Sequence, residues 1–281
     1  NSPACLNWRI RLRPDARASA WAGLQSLPVV CEPDIVGVLR IPKTKRTPTV
    51  AILCLHGHAR GLVLGKEITE GYAVPLAENG FVTFAPDALA FGERRRRQYD
   101  KEELASGGQS LFLGERVLAM NSLLSGETLF GKQLAEFLRC VDFLGQLPGV
   151  ERIAVMGHSM GGIYAFWLGA LDERVNVTIC LAGLLSYRAM VEEEVSRYHG
   201  IYSVIPGMLN CCDTSDIVAL IAPRRFYAVH AEKDAGFPIV EVRRITSKAK
   251  EAFRLSGSPD NLVLVSEVIG GDHGDVLTPA L

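Results

Sequence analysis

The chain has no excess of either charge: 30 Lys and Arg stand against 31 Asp and Glu, a formal net charge of −1. That balance gives no general attraction to nucleic acid or to an anionic membrane, so neither is an expected partner. Long apolar runs are missing too, as are a signal-peptide pattern, internal repeats and low-complexity tracts. Seven cysteines are present, without the regular spacing of a disulfide framework or a zinc site. Cys54 and Cys180 fall in apolar runs, where a free thiol behaves as a small hydrophobe, and Cys211-Cys212 reads as an adjacent pair of free thiols. Such usage fits a reducing compartment, so the expected location is cytoplasmic. The chain starts at Asn1 rather than Met, which keeps a removed signal peptide as the alternative. The basic run Arg94-Arg95-Arg96-Arg97 reads as a solvated loop, because nothing aromatic or basic reinforces it nearby.

What is present is the composition of a folded enzyme domain, with 48% hydrophobic and 22% charged residues. A single α/β domain over residues 1–281 is expected. Short apolar runs at 36–41, 50–55, 81–85, 152–156, 175–181, 225–229 and 262–265 read as strands. Between them, 72–78, 129–147 and 162–168 read as helices, the first stopped by Asn79-Gly80. Alternation of this kind predicts a mostly parallel central sheet with helices on both faces and ligands at the carboxyl ends of the strands. Two segments fall outside the pattern: 100–126, and 186–213, the latter expected to be a small cap. Tyr187, Met190, Tyr198, His199, Tyr202, Ile205 and Met208 in the cap either line an acyl or alcohol pocket or pack on the core. Glu192-Glu193-Glu194 reads as a solvated helix face.

The most informative stretch is Gly157-His158-Ser159-Met160-Gly161, set between an apolar strand and an apolar helix. A serine on so sharp a turn is held in a strained conformation that pushes its hydroxyl out of the sheet, and the flanking glycines avoid collisions with neighbouring backbone. Ser159 is therefore the candidate nucleophile, and the alternative is a glycine-rich turn with an idle serine. A serine hydroxyl needs a base and an orienting carboxylate. Of the six histidines only His199, His230 and His273 follow Ser159. His230 ends an apolar strand, whereas His273 lies in the polar turn Gly270-Gly271-Asp272-His273-Gly274-Asp275 and is the expected base. Asp234, directly after the strand that ends near His230, is the expected acid; Glu232 is the second choice. Asp234 also reads as an N-terminal cap for the helix beginning near Pro238. An oxyanion hole needs two backbone donors, expected from the N–H groups of Met160 and His58. His56 reads as structural within its loop. The His56-x-His58 spacing is not taken as a metal site, since no third ligand lies nearby in sequence, and no cofactor is expected.

These residues, with Ala85-Pro86-Asp87, Phe91-Gly92-Glu93-Arg94, Leu220-Ile221-Ala222-Pro223-Arg224 and Glu232-Lys233-Asp234, make the chain resemble an α/β hydrolase of the dienelactone hydrolase and acetyl xylan esterase-like branch. The resemblance runs through most of the chain from about 36 to 275. It implies an acyl-serine mechanism on carboxylic esters, with short acyl or acetyl esters as the substrate class. A serine aminopeptidase-like hydrolase and a non-catalytic binding module of the same fold are the alternatives. Only eight residues follow His273, fewer than the closing helix of the fold usually needs. Either the chain was trimmed or 275–281 continues in a partner, which raises homo-oligomerisation as an expectation.

Overall fold

The computed structural model describes residues 11–12, 24–31, 34–43, 48–58, 64–96, 99, 112–268 and 271–277. Sequence readings that fall on Arg97, on 100–111, on Gly270 and on 278–281 lie outside the described residues. The strands are β1 (Arg11–Leu12), β2 (Leu24–Cys31), β3 (Ile35–Pro42), β4 (Val50–Leu55), β5 (Val82–Pro86), β6 (Arg152–His158), β7 (Val175–Leu181), β8 (Arg225–Ala231) and β9 (Leu262–Val268). They form one sheet in the order β1-β2-β3-β5-β4-β6-β7-β8-β9. From β5 through β4 to β9 every pairing is parallel, while β1, β2 and β3 pair antiparallel at one edge.

The helices are α1 (Glu70–Glu78), α2 (Leu113–Leu124), α3 (Leu129–Gly145), α4 (Met160–Leu171), α5 (Tyr187–Glu192), α6 (Thr214–Ala219) and α7 (Ile239–Leu255). Period-2 alternation along β4 divides the core. Leu53 and Leu55 face the large cluster that buries α3, α4 and α7, while Ile52 and Cys54 face α1 through Tyr72 and Ala73. In α3 the buried positions Phe130, Gln133, Leu134, Phe137, Cys140, Val141 and Leu144 follow helical spacing, and Thr128 caps the start by accepting from the Gly131 N–H.

The antiparallel strand β2 carries Pro28, a residue that argues against an interior strand, and pairs it with Val38 of β3. Arg94 is not solvated but forks onto Glu136 of α3 at 2.5 and 2.9 Å, tying the loop after β5 to the helix layer. After His273 the described residues hold only a 3-10 turn, Asp275–Leu277, and its Val276 packs on this chain's own Leu181, Ala182 and Ala231. Glu192, Glu193 and Glu194 are exposed, as expected.

The loop after β5 is built on Asp87, which is fully buried. It accepts from the Lys66 N–H at 2.7 Å, the Lys66 ammonium at 2.8 Å and the Glu93 N–H at 3.0 Å. Burial alone would lower the Lys66 pKa, but Asp87 and Glu93 outweigh it and raise it to about 12. Removing the acid takes from the ammonium its fully buried partner, leaving it Glu93 and Glu67, and deprives the Lys66 and Glu93 N–H groups of their acceptor. Asp87→Ala is therefore expected to cost about 3–5 kcal/mol of unfolding free energy, read from the midpoint of urea denaturation. A loss below about 1 kcal/mol would contradict this role.

Candidate active site

Ser159 stands between the last residue of β6 and the first of α4 with φ 53° and ψ −116°, outside the regions a non-glycine residue normally occupies. Its neighbours explain how that strain is accommodated. A Cβ at Gly157 would overlap the Gly161 carbonyl, and one at Gly161 would overlap the Leu55 carbonyl. Two glycines are thus required for the turn to close against β4. The Ser159 N–H donates to the Leu181 carbonyl at 2.8 Å, so β7 fixes the turn from the other side. Met160 is the first residue of α4, where backbone N–H groups have no partner within the helix.

Asp234 and His273 meet although 39 residues apart. His273 Nδ1 lies 2.6 Å from Asp234 Oδ2, while Asp234 Oδ1 accepts the N–H groups of Gly236 at 2.9 Å and Phe237 at 3.1 Å. Burial would raise the Asp234 pKa, but the bonds from His273 and the two amides leave it below the ordinary value. It is therefore a carboxylate, and Nδ1 is the donor. Nε2 of His273 remains to take a proton. Asp234 does not cap a helix: α7 starts after Pro238, which offers no side-chain cap. Glu232 is half exposed and pairs with Arg243 at 3.7 Å, away from His273.

The loop after β4 runs beside the nucleophile. A Cβ at Gly57 would lie 2.9 Å from His158 Nδ1 and 3.3 Å from Ser159 Cβ. His56 accepts from the Ala88 N–H through Nε2 at 3.0 Å, so its Nδ1 carries the proton donated to the Gly57 carbonyl at 2.8 Å. This fits its structural reading and extends it, since the ring joins the loops after β4 and β5. His58 is anchored by a residue that sequence reasoning missed. Its Nε2 lies 2.6 Å from Glu115 Oε2 on α2, and Glu115 Oε1 accepts the Tyr202 N–H at 3.2 Å. Rings of Phe91, Phe112 and Tyr202 surround His58 with centroids at 5.2, 4.0 and 4.7 Å. Among the described residues no three His, Cys, Asp or Glu side chains gather as a metal site.

The cap packs on the core rather than standing over it. Tyr187, Met190, Tyr202 and Met208 are all buried in the main hydrophobic cluster. A hollow of about 440 Å³ lined by Tyr187, Met190, Ile205 and Met208 borders none of the site residues. Tyr202 meets His58, and His199 donates from Nε2 to the Gly236 carbonyl at 2.8 Å.

Two further histidines are held neutral. His158 donates from Nε2 to the His273 carbonyl at 3.2 Å, and its pKa is pushed down to about 4 by burial and then by His273. His230 is fully buried, neither ring nitrogen has a partner among the described residues, and burial pushes it to about 3. An unfolded chain protonates both near pH 6.5. Below that pH it binds more protons than the folded chain, so stability falls with pH by about 1.4 kcal/mol per unit for each histidine. The loss levels off for His158 near pH 4 and for His230 near pH 3. Urea unfolding between pH 7 and 4.5 is expected to show this decline, with a shallower slope in His230→Leu. Equal slopes would overturn the assignment.

A strained serine after a parallel strand, with an Asp–His pair on the loops after two later strands, defines a class that the comparisons meet. The chain belongs to the alpha/beta hydrolase fold family, whose model matches residues 50–202. It is 26% identical over 240 residues to the Bacillus subtilis (strain 168) protein named "Putative hydrolase YtaP", covering 82% of this chain and 75% of that one. Among solved structures it is similar to the glucuronoyl esterase from Solibacter usitatus, with TM-score 0.63 and 15% identity over 97% of this chain and 84% of the other. It is also similar to the acetyl xylan esterase from Paenibacillus sp. R4, with TM-score 0.60 and 19% identity over 95% and 83% of the two chains. At these identities the structural likeness shows the fold. No helix among the described residues is long and apolar enough to cross a membrane.

Proposed function

We propose that the protein is a serine carboxylic-ester hydrolase acting on short acyl or acetyl esters through an acyl-serine intermediate. The observation that carries this reading is the Asp234–His273 hydrogen bond at 2.6 Å, at the same carboxyl end of the parallel strands as the strained Ser159. Ser159 Oγ bonds to the acyl carbon while its proton passes to His273 Nε2. Electrons shift onto the carbonyl oxygen, which the N–H groups of Met160 and His58 hold. Collapse breaks the acyl carbon–oxygen bond, and the alcohol leaves with the proton from His273. Water then repeats the sequence with His273 as base, releasing the acid and restoring Ser159. Asp234 stabilises the imidazolium formed in each half. The esterase names of the solved neighbours support the choice of ester.

Hydrolysis of a short p-nitrophenyl ester against an aminoacyl nitroanilide tests the reading. Turnover of the ester is expected; turnover of the anilide alone would point to an aminopeptidase, and turnover of neither to a binding module. Ser159→Ala is expected to abolish ester turnover with thermal unfolding nearly unchanged, because the hydroxyl acts in the transition state. A variant as fast as the wild type would remove Ser159 from the mechanism.

Asp234→Asn is expected to lower kcat by about 10³- to 10⁴-fold at neutral pH. Glu232→Gln, whose side chain faces Arg243, should change it by less than about twofold. Assayed side by side, the reverse ranking would transfer the acid role to Glu232.

A further inference from the structure

We propose that Phe237 is a positioning residue for the base: its ring holds the His273 imidazole over Asp234 and favours that imidazole in its charged form. The inference rests on the esterase reading above and assigns the turn after β8 a second task. Phe237 is 2% exposed, so its ring is fixed by its surroundings. That ring lies parallel to the His273 ring, with an interplanar angle of 5° and centroids 5.5 Å apart. Its backbone N–H donates to Asp234 Oδ1 at 3.1 Å. One residue therefore orients the acid through its amide and the base through its ring. From the other direction His199 meets the Phe237 ring edge-on at 4.8 Å while donating to the Gly236 carbonyl, so the cap buttresses the same turn.

An aromatic face attracts a cation lying over it within about 6 Å of its centroid, more strongly when water is excluded; the parallel His273 ring at 5.5 Å is within that range and offset from the ring centre. A neutral imidazole gains less. The difference favours the imidazolium, which forms while Ser159 attacks or leaves, and an interaction of that kind acts on kcat. Asp234 supplies the larger part of that preference from the Nδ1 side, and the Phe237 ring adds to it; the remaining groups facing His273 do not. The His158 ring lies 4.9 Å away and donates to the His273 carbonyl. Burial lowers the pKa values of His158, His199 and His230. On its own loop, Asp272 accepts the His273 N–H at 2.7 Å and Asp275 accepts the Asp272 N–H at 2.6 Å, both oriented by backbone.

The test replaces Phe237 in the full chain by Leu and, separately, by mono-, di- and trifluorinated phenylalanines, which weaken the ring's quadrupole at nearly constant shape. Phe237→Leu is expected to lower kcat by about 2- to 30-fold with little change in KM, and to move the acid limb of the pH–rate profile down by about 0.4 to 1.5 pH units. The fluorinated series should shift the limb stepwise in the same direction, and it folds even where the Leu variant does not. NMR titration of the His273 ring, identified by its absence from His273→Ala, should show the same displacement without any substrate. Wild-type protein inert toward esters would reject the esterase reading, and the titration then still decides this one. A titration unmoved across the fluorinated series would overturn it.

Discussion

The geometry of the site depends on the closeness of two backbones at the turn that carries Ser159. Gly157 and Gly161 have no Cβ, and one at either position would occupy space held by a carbonyl oxygen. The second carbonyl is that of Leu55, which also accepts the buried Tyr72 hydroxyl at 2.6 Å. Leu55 pairs in register with Gly157 across β4 and β6. A slip of one residue in that pairing would move the glycine off the carbonyl and put a side chain into it. The positive φ of Ser159, a strain of about 1–3 kcal/mol, persists because this register, the Leu181 bond and the helix that follows all specify the same turn.

Around the turn, each loop is fastened by a buried polar group whose partner lies on another element. Asp87 joins Lys66 and Glu93, Glu115 joins His58 and Tyr202, and Asp234 joins His273 to the turn before α7. In an apolar interior such groups cost more unpaired than they contribute paired, so each defines one arrangement of its loops. Histidines sort by the same physics. His56, His158, His199 and His230 have their pKa values lowered, burial being the first cause in every case. The His273 side chain is 37% exposed, beside a carboxylate that is only 2% exposed.

How much of this could be read from the sequence follows from how local each signal is. The turn at Ser159 was legible because strand, glycines and helix are adjacent in the chain. The Asp234–His273 pair was legible because the order of elements places both at the carboxyl ends of parallel strands. Glu115 was not, because it lies in the first turn of a helix within the segment that falls outside the strand–helix pattern, and its partner His58 lies 57 residues upstream. Arg94 misled, since a run of four arginines reads as solvent-facing unless Glu136 of another helix is known to be opposite. Phe237 follows Gly236 in what reads as a plain turn, and only the folded chain sets its ring against His273.

The cap differs from a detached lid. Its Tyr187, Met190, Tyr202 and Met208 belong to the same buried cluster as the sheet-facing residues of α3 and α4, so lifting it would expose core apolar surface at roughly 1.5–3 kcal/mol for each large side chain. Two of its residues also reach the site: Tyr202 through His58 and Glu115, and His199 through Gly236 and Phe237. If His58 supplies an oxyanion donor and His273 the base, then both halves of the proposed chemistry lean on the cap from opposite sides of Ser159. A substitution that shifts the cap backbone near 199–202 would then be felt as altered catalysis and not only as altered substrate choice. Packing that makes the cap costly to move thereby makes it part of the catalytic scaffold.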